Sequence, residues 1–254
     1  CSNMLGSCYG TTGPASIDAR TGRSYGADFP GIGLQDIVQV QHRLLTDLGV
    51  RRLRTVVGPS YGGFQALQWA LDHPGQVDSV AAVVSAPFLP PSPHMDLRLL
   101  LAALESDPGW NGGRYDQTGG VAGTLARLRV ATLEAYGMEE VLQAQGLDAS
   151  QRKERIRTMA QAWAVEFDAH ALITLLKAAL RFDLRPQLDR IACPVLHVVA
   201  STDQLFPPDA VRGSITSGVL RGKARYLEID TKFGHQASGP AHAQWSGALA
   251  ALLN

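Results

Sequence analysis

Cysteine is scarce in this chain, being confined to Cys1, Cys8 and Cys193. Three cysteines cannot close a disulfide framework, so a reducing, cytoplasmic setting is the default expectation. Net charge is missing as well, since 23 Lys and Arg stand against 23 Asp and Glu. A nucleic-acid binder would show a basic excess or a basic stripe, and neither is visible. No run approaches the roughly 18 apolar residues needed to span a bilayer, so no membrane partner is expected. His-x-x-x-His and Cys-x-x-Cys spacings are absent, and no glycine-rich loop follows the P-loop or dinucleotide pattern. That predicts neither a metal site nor a bound cofactor. Repeats and low-complexity tracts are lacking, which disfavours a solenoid or fibre. The chain opens at Cys1-Ser2-Asn3 without an initiator methionine, an apolar signal segment or a basic leader. The expectation is that it starts part-way through a longer protein.

What is present is an ordinary globular balance, 45% hydrophobic and 18% charged over 254 residues. That length allows one large domain or at most two small ones. Residues 1–33 are dense in turn formers and read as a long structured loop. Leu34, Ile37, Val38, Leu44, Leu45 and Leu48 follow helical spacing, and Gly49 supplies a stop. Leu53–Val57 reads as a short buried strand, Phe64–Leu71 as a helix ending near His73-Pro74, and Val77–Ser85 as a second buried strand. Strand, helix and strand in this order form a βαβ unit, which implies a parallel sheet. From Pro87 to about Arg185 the strand signal fades. Helical stretches take over at Leu97–Leu104, Val121–Tyr136, Ser150–Val165 and Ala169–Leu180. Strand signals return at Pro194–Ala200 and Ala224–Ile229, and His242–Leu253 fits a closing helix. Residues 1–87 and 187–254 therefore form an α/β core, and 88–186 an inserted helical cap.

Gly58-Pro59-Ser60-Tyr61-Gly62 matches Gly-x-Ser-x-Gly between the first strand and its helix. A sharp turn there lifts a serine hydroxyl above the sheet edge, and flanking glycines let strand and helix approach without a Cβ clash. The Tyr61 amide, opening the helix, is placed to donate to a developing oxyanion. The bland alternative is a plain turn with Ser60 as a helix cap. A nucleophilic serine needs a base and a group that orients it, following in the order Ser, Asp, His. Asp203 stands just after a buried strand, at the edge where a parallel sheet places functional groups. His235 follows the last strand. Asp209, beyond Pro207-Pro208, Asp230, at the end of its strand, His242, within the last helix, and His73 and His170, read as helix or helix-end residues, are weaker rivals.

Ser2 to Ser16, Tyr25-Gly26-Ala27-Asp28-Phe29-Pro30 and Gly62-Gly63-Phe64-Gln65-Ala66-Leu67-Gln68-Trp69 resemble the homoserine O-acetyltransferase family, a branch of the α/β-hydrolase fold. Phe167-Asp168-Ala169, Asp203-Gln204-Leu205-Phe206-Pro207-Pro208 and Gly234-His235 are similar to its segments too. The resemblance implies an α/β-hydrolase fold, with a mostly parallel sheet flanked by helices and an inserted helical cap. It implies a ping-pong acyltransferase with acetyl-CoA as co-substrate, Ser60 as nucleophile, His235 as base and Asp203 as its orienter. A homodimer acting on small-molecule substrates is implied in the same way.

Two departures bear on the acceptor. Family members usually carry Met after the nucleophile, where this chain has Tyr61, which would add bulk and a hydroxyl beside it. They usually carry Asp after the histidine, reading the acceptor amine, where this chain has Gln236. A neutral amide pairs with an ammonium far less well than a carboxylate does. The arginine that holds the acceptor carboxylate aligns with Arg127, with Arg129 as a close rival. Homoserine is therefore expected to be a poor acceptor, and one lacking the amine, or water, a better one. Hydrolysis of esters or thioesters by the same residues is the alternative activity, and a non-catalytic binding protein a third. Only 59 residues precede Ser60, and no His-Gly-Gly-Gly donor loop is among them. The first strands and a second oxyanion donor are expected upstream of Cys1.

Overall fold

The computed structural model describes residues 11–216, 220 and 222–254. Cys1, Cys8, the motif at residues 2–10 and any upstream oxyanion donor lie outside the described residues.

A short antiparallel hairpin, β1 (Ile17–Asp18) and β2 (Arg23–Ser24), stands where the sequence suggested only loop. Its turn is set by Asp18, whose Oδ1 accepts from the Arg20 N–H at 2.9 Å. Helix α1 (Leu34–Asp47) follows. Asp36 fixes its start by accepting from the Gly33 N–H at 2.7 Å, and it buries Leu34, Ile37 and Val38.

Four parallel strands form the sheet in the order β3 (Val56–Pro59), β4 (Val80–Val83), β5 (Val195–Ala200) and β6 (Ala224–Ile229). Helix α2 (Tyr61–Asp72) links β3 to β4. Helix α8 (Pro208–Thr216) lies between β5 and β6, and α9 (Ser246–Leu253) closes the chain. β4 and β5 are buried along their whole length, as strands covered by helices on both faces must be. Phe64, Leu67, Val195 and Val199 belong to one core layer. Leu196, Val198, Ala200 and Ala248 belong to the other.

The first strand sits further along than periodicity suggested. Leu53 makes only an isolated parallel bridge to Val77, and the ladder proper begins at Val56. The closing helix is shorter than expected as well. A 3₁₀ turn at His242–Gln244 precedes α9, so His242 stands before the helix, not within it. Helix α8 went unread although its Pro208 opens it, the position where proline costs a helix least.

Between β4 and β5 the described residues hold no named strand. They form α3 (Leu97–Glu105), α4 (Ala122–Ala135), α5 (Met138–Ala144), α6 (Ala149–Glu166) and α7 (Ala169–Arg181). Three of these start on an aspartate that accepts from a first-turn amide: Asp96 at 2.8 Å, Asp148 at 2.9 Å and Asp168 at 2.7 Å. Such caps satisfy N–H groups that the helix itself cannot. An antiparallel bridge between Phe88 and Asp183 brings the two ends of the block together. No helix among the described residues is long and apolar enough to cross a membrane.

Candidate active site

Ser60 sits on the turn between β3 and α2 at φ 53° and ψ −123°. A residue with a side chain adopts such a backbone only under tertiary constraint. Two close approaches supply it. A Cβ on Gly58 would lie 1.9 Å from the Gly62 carbonyl oxygen, and one on Gly63 would lie 2.4 Å from the Ser85 side chain. Gly62, by contrast, would meet only Pro59 Cδ at 3.4 Å. The glycines that let helix and strand close up are thus Gly58 and Gly63, and the motif's second glycine is not one of them.

The Ser60 side chain makes no helix-cap bond. Instead Ser60 Oγ lies 2.7 Å from His235 Nε2, and His235 Nδ1 lies 2.9 Å from Asp203 Oδ2. An ionised carboxylate only accepts, so Nδ1 carries the proton and Nε2 is left to accept from the serine hydroxyl. The other carboxylate oxygen of Asp203 accepts from the Leu205 and Phe206 N–H groups at 2.9 and 3.1 Å. Three donors therefore hold this carboxylate in one orientation. Both Asp203 and His235 are buried.

Two loops must be in register for this geometry, and two threonines set it. Thr202 Oγ1 donates to the Thr231 carbonyl at 2.7 Å and accepts from the Gly234 N–H at 3.1 Å. Thr231 N–H in turn donates to Ser201 Oγ at 3.1 Å. The Ser-Thr pair directly before Asp203 was the signal available in the sequence for this tie.

The rival residues are engaged elsewhere. Asp209 pairs with Arg212 on the surface, and Asp230 Oδ1 accepts from Ser201 Oγ. His242 Nδ1 faces the Gly239 carbonyl, His170 Nε2 faces the Gly113 carbonyl, and His73 ends α2. Tyr61 is the first residue of α2, where backbone N–H groups have no partner within the helix. Its side chain differs from expectation. The hydroxyl points to α7, 3.4 Å from the Leu175 carbonyl, and burial raises its pKa. Its bulk packs beside Phe64, ring centroids 5.8 Å apart.

Arg127 lies on α4. It is exposed, its Nη2 donates to Thr124 Oγ1 at 2.7 Å, and it borders an open groove with Arg157 and Val165. Two residues along α4 mean a turn of roughly 200°, so Arg129 faces the opposite way. Arg129 lines a cavity of about 220 Å³ together with Tyr136, Trp163, Leu172 and Leu176. Its guanidinium carbon lies 5.9 Å from the Tyr136 ring centroid and 5.5 Å from that of Trp163. Its Nε and Nη1 are buried without a hydrogen-bond partner, and this burial lowers its pKa.

Tyr136, one wall of this cavity, also touches His235. Its ring lies 4.7 Å from the His235 ring, and its carbonyl accepts from the Gln236 N–H at 3.0 Å. Burial pushes the Tyr136 hydroxyl up to about 12. Helical periodicity marked Tyr136 only as the end of a helix, and nothing local foretold its contact with a loop a hundred residues away. Gln236 is half-buried, and its side chain is not among the described walls of the cavity. No group of three or more His, Cys, Asp or Glu among the described residues could hold a metal ion.

Residues 1–235 match the family model of the α/β hydrolase fold. The chain is 34% identical over 262 residues to the homoserine O-acetyltransferase of Moorella thermoacetica, covering 93% of this chain and 69% of that protein. Among solved structures, homoserine O-acetyltransferase from Bacillus anthracis superposes with a TM-score of 0.82 at 25% identity, covering 96% of this chain and 71% of that one. Esterase E22 superposes with a TM-score of 0.83 at 25% identity, covering 96% and 73%. The chain belongs to the homoserine O-acetyltransferase family of α/β-hydrolase-fold enzymes.

Proposed function

We propose that the protein is a serine-dependent acyltransferase that moves an acetyl or similar acyl group from an acyl-CoA thioester to a small hydroxylated acceptor. The observation that carries this reading is the imidazole of His235, bonded on one side to Ser60 Oγ and on the other to Asp203. In the first half-reaction Ser60 Oγ attacks the thioester carbonyl carbon while His235 Nε2 takes its proton. The oxyanion that forms meets the Tyr61 N–H at the start of α2, where the helix dipole also favours negative charge. Collapse breaks the carbon–sulfur bond, and His235 returns the proton to the departing thiolate. The acceptor hydroxyl then attacks the acyl-enzyme carbonyl, His235 takes that proton, and Ser60 recovers it as the ester leaves. Asp203 stabilises the imidazolium at both stages without taking its proton.

The block at 88–186 acts in this scheme as a cap. Its Tyr136 lies against His235, and its Arg129 supplies the cation of the acceptor cavity. The cap's task is to keep water from the acyl-enzyme.

The second reading is hydrolysis of esters or thioesters, in which water replaces the acceptor. It is favoured by the fold similarity to esterase E22, as large as that to the acetyltransferase. One experiment separates the two. Thiol release from acetyl-CoA is followed with and without hydroxylated acceptors, in wild type and Ser60→Ala. Release that depends on the acceptor, with ester formed in equal amount, supports transfer. Release at the same rate without acceptor supports hydrolysis, and release undiminished in Ser60→Ala ends the assignment of the nucleophile.

A further inference from the structure

The chain leaves β4 through a backbone that its residue type resists. Val84 holds φ at 44°, a left-handed value that a β-branched side chain adopts only where its surroundings impose it. It is buried, and its N–H donates to the Val198 carbonyl at 2.7 Å. Ser85, the next residue, is buried too, and its carbonyl oxygen lies 2.7 Å from His197 Nε2. A carbonyl only accepts, so the proton of this imidazole stands on Nε2.

That tautomer leaves His197 Nδ1 buried with no hydrogen-bond partner. An unpaired buried nitrogen is costly, and an apolar side chain would avoid the cost. The neighbours of His197 along β5 are apolar, Leu196 before it and Val198 after it. What a histidine supplies here, and they could not, is one N–H donor aimed at Ser85.

The segment so held is the seat of the nucleophile turn. Ser60 N–H donates to the Val83 carbonyl at 2.9 Å. The Ser85 side chain occupies the place where a Cβ on Gly63 would fall, 2.4 Å away. Gly63 N–H closes the turn by donating to the Ser60 carbonyl at 2.8 Å. Val83 and Ser85 thus touch the elbow from either side of the strained Val84. Strand alternation puts His197 on the sheet face of Val195 and Val199, in the core layer of Phe64 on α2. The relay needs Ser60 Oγ kept at 2.7 Å from His235 Nε2, with the Tyr61 N–H aimed at the developing oxyanion. Both groups hang from the first turn of α2, so a shift of its seat misplaces both.

We propose that His197 is a positioning residue for the nucleophile: its Nε2–H pins Ser85, and the strained segment 83–85 thereby holds Ser60 and the Tyr61 amide in attacking geometry. The inference rests on the reading of Ser60 as nucleophile and does not depend on the acceptor.

The test is the rate of acylation by 4-nitrophenyl acetate, expressed per serine titrated with a fluorophosphonate. His197→Met fills the space without a donor, and His197→Gln keeps an amide N–H at similar reach. His197→Asn carries the same amide one methylene short of Ser85, and it replaces the methionine variant if that one fails to fold. The methionine and asparagine variants should acylate roughly tenfold or more slowly per titrated site, with half-saturation changed by less than about threefold. The glutamine variant should return to within about threefold of wild type. A role in packing alone would lower the melting temperature or the number of titratable sites and leave the rate per site unchanged. That outcome, or equal losses in the glutamine and asparagine variants, would overturn the inference. Labelling that persists in Ser60→Ala would instead remove the nucleophile itself, so the two readings fail separately.

Discussion

Gly137 lies directly against Phe233: a Cβ on Gly137 would sit 2.6 Å from the Phe233 carbonyl oxygen, and the glycine holds φ at 83°. The turn after α4 is thereby pressed onto the loop that carries His235, with the Gln236 N–H bonded to the Tyr136 carbonyl in the same contact. Gly137→Ala must strain the backbone and push the two loops apart. We expect a loss of about 1–3 kcal/mol in stability together with a lower kcat. Urea unfolding and steady-state kinetics on the same preparation check it, and an alanine variant with unchanged turnover would show that this contact does not hold His235.

The elbow glycines should divide sharply. Gly58→Ala places a Cβ 1.9 Å from a backbone carbonyl, whereas Gly62→Ala meets Pro59 at an ordinary 3.4 Å. The first should cost at least about 3 kcal/mol. The second lies inside a helix, where alanine is favoured over glycine by about 1 kcal/mol, and should be neutral or slightly stabilising. Melting temperatures of the two variants decide it.

Asp203→Asn removes the acceptor that keeps the His235 proton on Nδ1. The side chain still fits, but an amide can present its NH₂ to the ring and so favour the wrong tautomer. Turnover should fall about 10⁴-fold with little change in melting temperature. Retained activity in this variant would remove Asp203 from the relay.

Gln236→Asp tests acceptor choice from the histidine loop. If the amide at 236 is what leaves an acceptor amine unread, the carboxylate should raise transfer to homoserine while leaving transfer to 4-hydroxybutanoate, the same chain without the amine, equal or lower. Acceptor competition in wild type and variant provides the measurement. An unchanged ratio would mean that Gln236 does not set the choice.

Acid should destabilise the fold through His197. This imidazole is fully buried in β5, with Nε2 2.7 Å from the Ser85 carbonyl. Burial lowers its pKa from the ordinary 6.5 to about 4, with the Ser85 bond opposing the shift. Between those values the unfolded chain binds the proton and the folded chain does not, so stability rises with pH across that window. The contribution is complete above about 6.5 and is lost as pH falls towards 4. His73 acts in the same direction, its pKa lowered by burial and by His42 stacked at 4.0 Å. Urea unfolding from pH 7.5 to 4.5 should show the fall, and His197→Gln should make it shallower. Stability that increased towards pH 5 would contradict the sign.

The βαβ pattern, the helical block, the order Ser60, Asp203, His235 and the family resemblance were all legible along the chain. Each depends on local periodicity or on a short motif whose glycines and turn formers answer to nearby backbone geometry. Arg127 and Arg129 show where that legibility ends. They lie on opposite faces of one helix, and a resemblance that could be aligned on either could not say which face met the cavity. That was decided when α4 packed with α6 and turned Arg129 between Tyr136 and Trp163. The need for glycine at 63 has the same character, since it comes from Ser85 in the loop after β4. So does the seating of Tyr136 on His235, a contact between segments far apart in sequence. Local patterns specify which elements form and which residues are candidates for the chemistry. The side chains that surround that chemistry are chosen by long-range packing, which leaves no period in the sequence to read.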